Sequence, residues 1–128
     1  MVSPGLVIGG LSVATLALHL RDPHQHASWG LCPFYAATGW YCPGCGGLRA
    51  VNDLTNGHVG AALSSNVLVT VLIPFATLAL VVWARDRWAG RERHVDWNRA
   101  QLYTGVAVAV FLVFAVVRNL PFGSWLAP

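Results

Sequence analysis

The sequence predicts an all-α membrane protein with three transmembrane helices and a short interfacial or re-entrant helical cysteine segment between helices one and two. Three observations lead there. Charged residues make up only 10% of the 128 residues and apolar ones 55%, against roughly 25% charged in an average soluble domain. The apolar residues come in blocks, with no Asp, Glu, Lys or Arg in 2–20, 59–84 or 100–117. Each block reaches or approaches the ~20 residues that carry a helix across a ~30 Å hydrocarbon layer. A segment in lipid has to satisfy its own backbone hydrogen bonds, which selects helices over isolated strands. The expected organisation is a single integral membrane domain over 1–128, with helices at about 2–20, 60–84 and 100–118 and a cysteine module at about 24–58.

Helix one carries Pro4 in its first turn, where a missing N–H is harmless. The opening "MVSPG" has no Lys or Arg, and no small-x-small site follows the apolar run. A retained first helix is therefore expected rather than a cleaved signal peptide. After the cysteines, "LRAVNDLTNG" reads as a short helix closed by Gly57, with Arg49 and Asp53 spaced i,i+4 to pair. Helix two contains Pro74, which predicts a kink there. Helix three ends near Arg118, and the tail holds Phe122 and Trp125, suited to a membrane interface. Trp29, Trp40 and Tyr41 around the cysteines fit a similar belt, with Trp88 and Trp97 on the opposite face.

Orientation follows from the arginines, which are the whole basic complement of the chain. The 84–99 loop holds Arg85, Arg87, Arg91, Arg93 and Arg99, while Arg21, Arg49 and Arg118 lie elsewhere. The positive-inside rule places the amino terminus and the 84–99 loop in the cytoplasm and the cysteine module outside it. A pI of about 9.1 thus reflects a topology signal and contact with anionic lipid rather than nucleic-acid binding.

The chemistry-bearing residues are Cys32, Cys42 and Cys45. Cys-Pro-Gly-Cys-Gly has the shape of a metal knuckle, whose turn puts both sulfurs on one side. Structural zinc takes four ligands: Cys32 would be the third, and His24, His26 or His58 the fourth. Thiol–disulfide chemistry is the second option. A Cys-x-x-Cys at a helix start has its thiolate favoured by the helix dipole, and Arg49 nearby would modulate it. Third, Cys32 could bond Cys42 or Cys45 in a plain structural disulfide. The odd cysteine count favours metal over a simple pair.

Cys32-Pro33, Thr38-Gly39, Cys42-Pro43-Gly44-Cys45-Gly46, Arg49-Ala50 and Asn66 at a helix start together resemble a bacterial membrane family known as domain of unknown function 2752. The likeness is close over about 30–68. It departs at Gly47-Leu48, where the family carries Leu-Thr, and at His58 and Val67, where it often has Asp and Pro. The resemblance implies a topology and a site but no activity.

No paired carboxylates, phosphate-binding glycine loop or Ser/His/Asp set occurs. The expected function is a structural or accessory membrane component whose loop is held by zinc or a disulfide. Its expected partners are the bilayer and another membrane protein. The alternative is a membrane thiol–disulfide oxidoreductase using Cys42 and Cys45.

Overall fold

A computed structural model of the chain describes residues 3–23, 32–91 and 94–127. His24, His26 and Trp29 lie outside the described residues. Among the described residues every regular element is helical: α1 (Pro4–Leu20), α2 (Pro33–Thr38), α3 (Gly47–Thr55), α4 (Val59–Trp88), α5 (Trp97–Arg118), and a closing 3-10 turn (Pro121–Leu126). Two of them, α4 with 30 residues and α5 with 22, are long and apolar enough to cross a membrane; α1 is a shorter apolar helix of 17 residues.

The boundaries have local causes. Pro4 opens α1 and Pro33 opens α2, each at a position where the missing N–H costs nothing. Gly39 closes α2 in the left-handed region at φ 71°, which glycine adopts without penalty. The α5 start lies three residues before the start of the charge-free block because Asp96 caps it, accepting from the N–H groups of Asn98 and Arg99 at 3.1 and 3.3 Å. At its other end, α4 runs on through Arg85, Asp86 and Arg87 to Trp88. Hydropathy marks where an apolar run ends, and a helix continues past that point when its next residues are good helix formers.

The break in α4 is at Asn66, not at Pro74 as the sequence predicts. Asn66 alone inside the helix leaves helical dihedrals, at φ −164° and ψ 99°, an extended conformation. Its side chain restarts the helix by accepting from Val69 N–H at 3.0 Å, as an N-cap residue does. Thr70 Oγ1 secures the far side of the break by donating to the carbonyls of Ala62 and Asn66, each at 2.8 Å.

Packing gathers the ends of the helices around α3. Asn52 in α3 donates to Leu18 O at the end of α1 (2.7 Å), and His19 lies 3.2 Å from Thr55. Asp53 points inward and accepts from Ser65 of α4 at 3.0 Å, a partner that the i,i+4 spacing with Arg49 does not suggest. The interior is small and polar: Ala50, Ala62, Asn52, Asp53, Ser65, Asn66, Thr70 and Arg118 are buried, while large apolar side chains face outward along α1, α4 and α5. The cysteine turn, the end of α1, the start of α4 and the end of α5 thus share one end of the molecule. The arginine-bearing connection between α4 and α5 is at the other.

Candidate metal centre

The turn between α2 and α3 is built from its backbone outward. Cys45 N–H donates to Cys42 O at 3.1 Å and Gly47 N–H to Gly44 O at 2.9 Å. Gly46, at φ 79°, delivers the chain into α3, a conformation that a side chain at that position would strain. Cys32 is the residue before Pro33 at the start of α2. Stacking of Tyr35 on Tyr41, with ring centroids 4.7 Å apart, folds α2 back over the turn.

These constraints bring together the three sulfurs singled out from the sequence. Cys42 Sγ is 3.1 Å from Cys45 Sγ and 3.5 Å from Cys32 Sγ, and all three lie within 4.8 Å of one another as free thiols. Thiolates bound to one zinc at about 2.3 Å stand about 3.8 Å apart at tetrahedral angles. The cluster is therefore close enough to bind a metal ion and is compatible with zinc. His58, at the start of α4, is not a member of the cluster.

The three thiols differ in environment. Burial pushes the Cys45 thiol up to about 12, reinforced by its hydrogen bonds to the Cys42 and Cys32 sulfurs. The backbone N–H of Tyr35 instead holds Cys32 below the ordinary thiol value, outweighing its partial burial. A metal at the cluster would replace the Cys45 proton, and its positive charge would offset the burial that disfavours the thiolate.

Three polar side chains grip the turn by its carbonyls, and the sequence pattern had pointed to only one of them. The Asn66 amide donates to Pro43 O and Cys45 O, both at 2.9 Å. Arg118 Nη1 donates to Cys42 O at 2.9 Å and Cys45 O at 3.2 Å, and Nη2 to Leu126 O at 3.0 Å. Asn119 accepts from Tyr41 N–H and donates to Tyr41 O, each at 2.8 Å. The guanidinium at the cysteine turn is thus that of Arg118. Among the described residues no hydrogen bond or ion pair of the Arg49 side chain reaches the turn; it sits on α3, half-buried. The one signal for Arg118 and Asn119 was a polar pair ending an otherwise apolar run, which reads equally well as a topology signal.

A cavity of about 840 Å³ runs beside the turn, between Trp40, Tyr41 and Cys42 on one wall and Tyr103, Phe111 and Ala115 of α5 on the other. Its lining is almost wholly apolar.

A helical chain with a three-sulfur cluster clasped between its helix ends is the class that this geometry defines. Residues 32–80 match the model of a protein family described as "Protein of unknown function (DUF2752)", the family that the cysteine signature resembles. The match takes in the three cysteines, α2, α3 and the broken start of α4. Arg118 and Asn119 lie outside it. No curated protein and no solved structure matches the chain.

Proposed function

We propose that the chain is a multi-pass component of the bacterial cell membrane, without catalytic activity of its own. Its cysteine module is held at the membrane surface by one zinc ion and contacts another membrane protein. The observation that carries the zinc assignment is the convergence of three sulfurs, rather than two, within 4.8 Å. A disulfide needs two and leaves the third without a task, whereas a tetrahedral ion uses all three. The fourth position falls to a histidine of the preceding segment, for which the sequence offers His24 and His26, or to water.

In this reading α4 and α5 cross the bilayer and α1 is the third span, shorter but aligned with them at the cysteine end. Positive-inside counting puts the α4–α5 connection and the amino terminus in the cytoplasm, with the module outside. Polar residues turned inward and apolar ones outward are what a lipid solvent favours, and the described residues have that arrangement.

One observation favours a second reading. Cys42 lies within reach of both other sulfurs, so a bond between Cys42 and Cys45 could pass to Cys32. In that exchange the Cys32 thiolate attacks the Cys42 sulfur, a Cys32–Cys42 disulfide forms, and Cys45 leaves as a thiolate that takes up a proton. Oxidation of the dithiol would pass two electrons and two protons to a partner disulfide, which becomes two thiols. Metal analysis of protein purified in detergent separates the readings. The zinc reading expects near-stoichiometric metal that is lost in Cys32→Ser. The redox reading expects no metal and a Cys42–Cys45 disulfide that equilibrates with glutathione buffers.

A further inference from the structure

The hydrogen bonds of Arg118 do not account for its charge. The residue is 1% exposed, and its guanidinium enters the cysteine turn from the last turn of α5, where its hydrogen-bond partners among the described residues are carbonyl oxygens, those of Cys42, Cys45 and Leu126. Nε is buried with no partner. The rings of Phe114 and Tyr41 flank the group, with centroids 5.0 and 5.8 Å from its central carbon. Among the described residues no carboxylate pairs with it; the ion pairs seen there are Arg91–Asp86 and Arg99–Asp96, at the other end of the helices. Carbonyl dipoles and ring faces carry partial charge only, so among the described residues one full positive charge is buried without a compensating anion. Buried charges are ordinarily paired, because leaving one alone is strongly unfavourable.

We propose that Arg118 is the counter-cation of an anionic three-thiolate metal centre, supplying charge as well as hydrogen bonds. The inference rests on the zinc assignment above and deepens it. Three thiolates and a divalent ion sum to one negative charge, and a neutral fourth ligand, imidazole or water, leaves that sum unchanged. The guanidinium brings it to zero. Neutrality matters more here than in water, because opposite charges attract more strongly where the effective dielectric is low. Among the described residues, the titratable groups within electrostatic reach of Arg118 are Cys45, Cys42 and Tyr41, and the hydrogen bonds from α4 to the turn come from the neutral Asn66. Arginine stays charged at every pH of interest, so the positive charge at the cluster is permanent. Asn66 and Asn119 hold the same turn through its backbone without charge, and Arg118 alone adds a cation.

The inference is tested by zinc competition against a chromophoric chelator between about pH 6 and 9, on full-length protein in detergent. Wild type is compared with Arg118→Gln, which keeps a donor and loses the charge, and with Arg118→Lys, which keeps the charge. Removal of a group that supports metal ligands from behind typically weakens binding about 10- to 100-fold. That loss is expected for the Gln variant, with its half-loading pH moved upward because the thiols give up protons less readily. The Lys variant should recover most of the affinity and the wild-type pH profile, a rescue that hydrogen bonding alone does not provide. A Gln variant with wild-type affinity and pH profile would overturn the inference and leave the zinc assignment standing. A Lys variant as weak as Gln, with both variants retaining the wild-type helical spectrum, would also overturn it. A wild-type protein that takes up no zinc would remove both.

Discussion

At the scale of single residues, the metal-free cluster holds one thiol pushed up to about 12 by burial and another held below its ordinary value by a backbone N–H. The thiolate is the reactive form. Alkylation of metal-free protein near pH 8 should therefore be faster at Cys32 than at Cys45, with the Cys45 rate still climbing above pH 10. Equal rates at Cys32 and Cys45, read by mass spectrometry of peptides, would contradict the geometry. Zinc affinity should rise with pH across the same range, because each thiol has to lose its proton to bind. The cysteines were legible in the sequence because two of them share a turn whose proline and glycines fix its shape. Arg118 was not, because it reaches Cys42 and Cys45 from the far end of the chain. A contact of that range has no local periodicity to betray it, whereas Arg49 lies close to the cysteines in sequence.

At the scale of elements, α4 shows how a side chain can override a backbone rule. Proline is the usual cause of a break, yet the extended residue is Asn66, whose amide donates to two carbonyls of the cysteine turn while its oxygen caps the next segment. Asn66→Leu removes all of these bonds at a fully buried position. At about 1–3 kcal/mol for each buried group left unsatisfied, thermal unfolding in detergent should fall clearly, while Asn66→Gln should fall less. The 3-10 turn depends on a close approach: a Cβ at Gly123 would stand 1.8 Å from Val117 O. Gly123→Ala is thus expected to displace Pro121–Leu126 and break the Arg118–Leu126 bond, seen as faster proteolysis of the tail. Helix positions were legible from the charge-free blocks to within a few residues. Their ends were not, because Asp96 and Arg85–Arg87 act through capping and propensity, which hydropathy does not record.

At the scale of the molecule, a small polar interior with apolar residues outside reverses the order that water imposes. The chain expressed in bacterial membranes should resist alkaline carbonate extraction, and release into the soluble fraction would count against the proposed location. Composition and the charge-free blocks together made the all-helical class legible, since an apolar run of that length in lipid has to satisfy its own backbone hydrogen bonds. Composition did not reveal that the ends of α1, α4 and α5 meet at the cysteine turn. That meeting is made by Asn52, Asn66, Arg118 and Asn119, polar residues scattered along the sequence.

The most direct test is metal content and free-thiol count on one sample of purified full-length protein. The zinc-held module predicts about one zinc per chain and three thiols that react only after chelation. Three freely alkylated thiols with no bound metal, or a stable disulfide in their place, would contradict it.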